Sequence, residues 1–562
     1  MTSFLDWLRQ LAVKAVQHAA WVLPAEYAPW ADAMRREIHY IEDDRAALRW
    51  AVGCVVASYT KRLLLLPRVR ARLLLKPAGA SFMLILVLVL ALEAHAHGQP
   101  GAFVPVFEKM ACELPGISPD IRPRLQCGTV SVPRDYDRPG AGTFKLAVVV
   151  IHPRVKEPQA DPVLFIQGGP GSPLTIHAAR IARYESATLA RNRDLILVDQ
   201  RGVGRSEPAV CPDLSRQQLG VFAHKASIDE LLAAWRDTYS DCQRELARNG
   251  IDPAWFGTRV TVRDLEIVQR ALGVPRWSIY ARSYGTEVAM TLEALYPNTL
   301  RAVVLDSVYP PDPLPLTRTQ TFDAALDALF RACRSDPSCD AAHPDLALTF
   351  REAMAGLAKA PLTIALPPGS GTSEIVLGPA LLRAGVDRAL YDRPLLAMLP
   401  KMIQAVHDRD AASLQPFIAF LTRQFATMES PGDAAVVECR DRPSLQAPAA
   451  RSTLADGPDM IDRLGICRDW ISPGPPALIA SETSVPTLLL TGAIDPITPP
   501  LFARIVAAKM GSRAHVVEFP YVGHDVEEST PCGASLVTQF IRDHKAPINT
   551  ACVAEVRPVA FR

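Results

Sequence analysis

The stretch "WSIYARSYGTEVAM", Trp277 to Met290, decides how this chain is read. Trp277 to Arg282 carries the aromatic and β-branched residues of a strand, and Thr286 opens a run of helix formers. Ser283 stands at the junction. A strand that turns sharply into a helix at a serine is the G-x-S-x-G elbow, which holds the hydroxyl exposed at a sheet edge. Here the elbow reads A-R-S-Y-G, with Gly285 in place but Ala281 where glycine is usual. Strand and helix touch at such a turn, so both flanking positions must be small. Ala281 adds a single methyl, at a strand position whose negative φ suits alanine. On its own, a serine in this setting is more often a plain turn residue than a nucleophile.

Residue order strengthens the nucleophile. A serine hydroxyl needs a neutral imidazole to take its proton and a carboxylate to orient that imidazole. Behind an elbow the chain order is Ser, then Asp or Glu, then His. Asp495 closes "LLLTGAIDP" directly after a strand-like run, and His524 ends "AHVVEFPYVGH" after the last one. This assigns Ser283 as nucleophile, His524 as general base and Asp495 as its orienter. Asp525 is the competing acid, expected to point away from His524 if the strand continues.

Acyl transfer also needs donors for the developing oxyanion. The Tyr284 amide supplies one and the "QGGPG" loop, Gln167 to Gly171, the other, with Gly169 favoured over Gly168. The loop lacks the G-K-[ST] of a phosphate cradle. No cofactor and no metal is expected, since no C-x-x-C pair occurs.

Around these motifs, strand and helix signals alternate. "CGTVSVPRDY" and "TFKLAVVVIHP" read as an antiparallel pair. "DPVLFIQGGPG", "RDLILVDQRGVGRS", "LRAVVLDSVYPP" and "VPTLLLTGAIDP" read as strands whose unbroken apolar runs suit a sheet covered on both faces. The fold class is α/β, a mostly parallel doubly wound sheet. Residues 311–480 interrupt it with helical patterns and predict an inserted helical cap. Residues 99–310 and 481–562 form the two halves of the sheet domain, and the polar stretch Glu207 to Gly257 a side excursion.

Composition sets the surroundings. The 562 residues exceed one ordinary domain, and a net charge of +1 offers no basic footprint for nucleic acid. Of 11 cysteines, all but Cys54 follow residue 80. An even set spread this way suits five disulfides in an oxidising compartment, with sequential pairing the simplest arrangement, although spacing alone does not fix it. "ASFMLILVLVLAL", Ala80 to Leu92, is uncharged, follows a basic cluster from Lys61 to Lys76, and precedes Ala94-His95-Ala96. A positive flank, a short apolar run and an A-x-A site describe an export signal. Residues 79–98 are therefore expected to anchor the chain in a membrane, or to be cleaved after Ala96 and release a secreted or periplasmic protein. Residues 1–78 form a helical extension left on the cytoplasmic side.

Six segments together resemble the proline iminopeptidase and tripeptidyl aminopeptidase branch of the α/β-hydrolases. They are "GGPG" at 168–171, "VDQRGVGRS" at 198–206, "SYGT" at 283–286, "YPNTLRAVVLDSVYP" at 296–310, "PTLLLTGAIDPITPP" at 486–500 and "GH" at 523–524. Gln167 departs from the histidine common before GGPG in proline iminopeptidases, and Ala281 from the elbow glycine. The resemblance implies an α/β-hydrolase fold and removal of residues from the amino end of short peptides. It implies that Cys532 pairs with Cys552. It also implies that acids of "VVECRDRP", Asp441 first and Glu438 second, hold the substrate's ammonium. An esterase or lipase on the same fold, and a non-catalytic binding protein that keeps the scaffold, are the alternatives.

Overall fold

The computed structural model describes residues 105–561 except 156–158, 160, 185–187, 190, 223–227, 371, 429 and 447–464. Of the first hundred residues it describes 2–23 and scattered positions from 27 to 58. The chain divides into two units, Met1–Phe103 and Val104–Arg562. In the first, a helix spans Thr2–Val22, and Ala12, Val16 and Ala20 pack with Met34, Ile38 and Ala47 into a small core of their own. The apolar segment 79–98 and its A-x-A site lie outside the described residues. Among the described residues, no helix is long and apolar enough to cross a membrane.

The second unit is built on a nine-stranded sheet. Its strands are β1 (Phe107–Met110), β2 (Leu125–Pro133), β3 (Thr143–Ile151), β4 (Val163–Ile166), β5 (Leu195–Val198), β6 (Trp277–Arg282) and β7 (Leu300–Asp306), then, after an insertion, β10 (Thr487–Gly492) and β11 (Ala514–Phe519). The spatial order is β1-β2-β3-β5-β4-β6-β7-β10-β11. Strands β5 to β11 along that order run parallel, and β1 to β3 are antiparallel. The apolar runs read from sequence become strands for the reason proposed. In β6, Trp277, Ile279 and Ala281 join one core while Tyr280 joins the other, and β4 splits likewise into Leu164 and Ile166 against Val163 and Phe165. Two-residue alternation with both faces apolar is what a sheet sandwiched between helices requires.

Three strands escaped the sequence reading. β1 lies in the Pro-rich lead-in, and the insertion holds a hairpin of β8 (Leu362–Ala365) and β9 (Glu374–Leu377) among its helices. Each is four residues long, too short for a periodic signal to emerge. The remaining insertion is helical, with helices at Arg318–Ser335, Leu346–Lys359, Pro379–Tyr391, Leu399–His407 and Ala411–Met428 around a core that includes Phe322, Leu357 and Leu390, whereas the helix Pro431–Asp441 packs into the sheet core through Ala435, Val436, Val437 and Cys439.

Ten cysteines pair in sequence order: Cys112–Cys127, Cys211–Cys242, Cys333–Cys339, Cys439–Cys467 and Cys532–Cys552. Cys211–Cys242 ties down the excursion, which forms helices Leu214–Phe222 and Ile228–Arg248. Cys54 takes part in none of these bridges.

Candidate active site

Ser283 ends β6 and starts the helix Tyr284–Leu295 with φ +55° and ψ −130°, a conformation that side chains rarely adopt. The surroundings explain which flanking residue must be glycine. A Cβ on Gly285 would collide with the Ile166 carbonyl, so that position cannot take alanine. Ala281, paired in register with Ile166, keeps an ordinary strand backbone and is wholly buried against the helix side of the sheet. The methyl fits, and the elbow survives its missing glycine.

The GGPG loop lies against this turn. A Cβ on Gly168 would come within 2.6 Å of the Ser283 Cβ and 2.9 Å of the Tyr284 nitrogen. Gly169 adopts φ +106°, open to glycine alone. Among the described residues, neither the Tyr284 nor the Gly169 amide donates to a protein acceptor. Tyr284 is the first residue of its helix, where the N–H groups have no partner within the helix and the dipole is positive.

The acid and the base come from the far side of the sheet. Asp495 follows β10 and His524 follows β11. His524 Nδ1 meets Asp495 Oδ2 at 2.8 Å, with both side chains buried. Asp495 also accepts from the Ile497 amide at 2.8 Å, the Thr498 amide at 2.9 Å and the Thr498 hydroxyl at 2.5 Å. Burial alone would raise the Asp495 carboxyl, but His524 and the Thr498 donors hold it below the usual carboxylate range. Burial works against charge on His524, yet Asp495 and Asp525 outweigh it and lift its pKa above the ordinary histidine value. Tyr391 lays its ring 4.7 Å from the imidazole, which helps fix the ring plane.

No hydrogen bond joins Ser283 Oγ to His524 in this conformation. Their backbones are nonetheless linked through the end of β7. The Ser283 amide donates to the Asp306 carbonyl at 3.0 Å, and the Asp525 amide donates to Ser307 Oγ at 2.8 Å. Such bonds are often long before substrate binds and shorten in the reacting complex.

Asp525 does not point away. Its backbone is left-handed, with φ +61°, rather than that of a continuing strand, and Oδ1 comes 3.7 Å from His524 Nε2. It thus approaches the nitrogen opposite Asp495.

The acids of "VVECRDRP" lie on the helix Pro431–Asp441. Its start meets the GGPG loop, where the Ser430 amide donates to the Gly171 carbonyl at 3.0 Å. Asp441 accepts from the Thr258 amide at 2.9 Å and its hydroxyl at 2.8 Å, capping the helix Thr258–Ala271. Burial pushes Asp441 up to about 6. Glu438 pairs with Arg442 Nε at 2.7 Å and receives the Tyr309 hydroxyl at 3.5 Å. Tyr309 links back to the elbow, since its amide donates to Thr286 Oγ1 at 2.8 Å and that hydroxyl donates to the Ser283 carbonyl at 2.6 Å.

Glu287, from the elbow helix, takes the other side of Arg442 at 2.8 Å. Two buried carboxylates thus share one guanidinium while Asp441 binds Thr258, and burial raises all three above their usual range. Sequence reading missed Glu287 and Arg442, which are 155 positions apart and show no local pattern.

Comparison with known proteins agrees with this fold. The alpha/beta hydrolase fold family matches residues 161–527. The chain belongs to that family. Among relatives, the tripeptidyl aminopeptidase of Streptomyces lividans is 32% identical over 33% of this chain and 36% of its own. The serine protease Hip1 of Mycobacterium tuberculosis is 24% identical over 66% of this chain and 76% of its own. The α/β-hydrolase chain described here thus aligns with only about a third of the Streptomyces protein's length. The proline iminopeptidase of Mycobacterium smegmatis, at 18% identity and a TM-score of 0.36, covers 74% of this chain and 98% of its own. The family match and the Streptomyces and Mycobacterium tuberculosis relatives bear out the resemblance read from the motifs.

Proposed function

We propose that this α/β-hydrolase is a serine peptidase that removes residues from the amino end of short peptides. Ser283 attacks the scissile carbonyl and passes its proton to His524 Nε2. Asp495 holds the ring by Nδ1 and stabilises the imidazolium. The amides of Tyr284 and Gly169 receive the oxyanion, each worth about 2.7–4 kcal/mol of barrier by analogy with other oxyanion donors. His524 then returns the proton to the leaving amine, leaving an acyl-serine that water hydrolyses. The single observation that carries this reading is the buried 2.8 Å pair of His524 and Asp495, tied through the Ser307 hydroxyl to the strand beside Ser283.

The acid surplus supports amino-end recognition. Glu287 and Glu438 share the single Arg442 guanidinium with Asp441 close behind, and a substrate ammonium would add a cation to this acid-rich cluster. Asp441, bonded to Thr258, and Glu438, paired with Arg442 and Tyr309, are the acids proposed to meet it. Five disulfides support an oxidising location for the hydrolase unit. Residues 79–98 serve as the exporting or anchoring segment.

An esterase is the second reading, favoured by a relative named carboxylesterase B, 30% identical over 38% of this chain. The deciding assay compares arylamides with free and acetylated amino groups. The peptidase cleaves the free form, and Ser283→Ala loses both turnover and fluorophosphonate labelling. Equal turnover of both forms favours the esterase. An unlabelled wild-type serine would leave only the scaffold of a binding protein.

A further inference from the structure

Arg282 immediately precedes the proposed nucleophile and is only 6% exposed. A buried guanidinium is costly unless ion pairs and hydrogen bonds surround it. Its partners come largely from one short segment. Nη1 meets Glu528 at 2.9 Å, Nη2 meets Glu527 at 3.4 Å, and Nε lies 3.5 Å from Asp525 Oδ1. The Tyr280 hydroxyl accepts from Nη2 at 3.1 Å, and the Phe165 ring lies 5.4 Å below. All three acids follow directly on His524.

Asp525 is the member that touches the chemistry. Its Oδ1 is buried, makes no hydrogen bond, and lies between Arg282 Nε at 3.5 Å and His524 Nε2 at 3.7 Å. Nε2 is the nitrogen that must present a lone pair to Ser283. A carboxylate beside it favours the imidazolium, which cannot accept a proton. The groups facing the ring are Asp495 and Thr498 at Nδ1, Asp525 at Nε2, Asp306 from the end of β7, and the Tyr391 ring. Of the three acids, Asp495 is required for orientation. Arg282 acts on the other two, by contact with Asp525 and by its charge near Asp306.

We propose that Arg282 is a positioning residue for His524, holding the 525–528 turn against the nucleophile strand and drawing the Asp525 carboxylate away from Nε2. This rests on the reading of Ser283 and His524 given above. The buried Arg282 side chain acts through Asp525. The arginine at this elbow position is thereby explained: it supplies the charge that an acid next to the catalytic base demands.

The test is the pH dependence of kcat/KM on a free-amino arylamide, measured on the full chain. Arg282→Gln should move the acid limb upward by about one pH unit, a loss of about tenfold below the limb. Arg282→Gln/Asp525→Asn should move it back, and Arg282→Lys, which keeps the charge, should leave it near its original place. A purely structural arginine would lower kcat or stability without moving the limb or responding to Asp525→Asn. An unmoved limb in folded Arg282→Gln overturns the inference. Should that variant fail to fold, Asp525→Asn alone decides, because its limb must move to lower pH. A wild-type Ser283 that fluorophosphonate does not label overturns the site reading as well; a labelled serine with an unmoved limb overturns this inference alone.

Discussion

The Asp306 carboxylate accepts the backbone amide of Val526 at 2.9 Å, across 220 residues of sequence. Its second oxygen accepts the Glu527 amide at 2.8 Å. One side chain at the end of β7 thus fastens the turn after His524 to the strand beside Ser283. His524, the proposed base, is fixed by this clamp on the residues behind it as well as by its own bond to Asp495.

Asp306→Ala tests the clamp. It leaves two buried amides without an acceptor, each costing about 1–3 kcal/mol. We expect a lower urea midpoint and a kcat at least tenfold down with KM little changed, because substrate still binds while the base drifts. Asp306→Asn keeps an acceptor and should recover part of both losses. Unchanged kcat in Asp306→Ala would show that His524 is fixed by other means.

Asp495→Asn addresses the base directly. His524 must be neutral to take the serine proton, so activity rises as pH climbs through its pKa. Burial lowers that pKa, but Asp495 and Asp525 raise it above the ordinary histidine value. Removing the Asp495 charge should move the acid limb to lower pH. At the same time kcat should fall about 10,000-fold, because an amide no longer selects the right imidazole tautomer. Kinetics at several pH values separate the two effects.

What the sequence made legible follows from range. Strands buried on both faces declare themselves as apolar runs, and Ser283 and Asp495 follow such runs, while His524 follows the partly exposed edge strand β11. Asp306 also ends a strand, in "VVLDSVYP", but nothing local marks it as the acceptor for Val526. The same holds for Glu287 with Arg442 and for Arg282 with Glu527: each pairing is made only when distant segments fold together. Asp525 misled because strand alternation was carried on to a residue well past Phe519, where β11 has already ended and the backbone turns left-handed.

The two sides of the elbow should respond oppositely to a methyl. Gly285→Ala places a Cβ into the Ile166 carbonyl and should cost about 3 kcal/mol or more, with loss of activity. Ala281→Gly removes a buried methyl, worth about 0.8 kcal/mol, and loosens the strand by about 0.5–1 kcal/mol. It should lower stability modestly and leave kcat within about twofold. Urea unfolding alongside arylamide turnover measures both. A gain in activity for Ala281→Gly would mean that the alanine distorts the turn.

The Cys439–Cys467 bridge offers a way to disturb substrate grip without touching the proton relay. Cys439 is buried on the helix that carries Glu438 and Asp441, and its bridge closes a 28-residue separation. Replacing both cysteines by alanine should cost about 2–4 kcal/mol. It should also loosen that helix, so KM for free-amino arylamides rises several-fold as Glu438 loses its register with Tyr309. Fluorophosphonate carries no ammonium, so its rate of reaction with Ser283 should hold steady. A matching fall in labelling rate would place the helix in the catalytic machinery itself, and an unchanged KM would remove Glu438 from ammonium recognition.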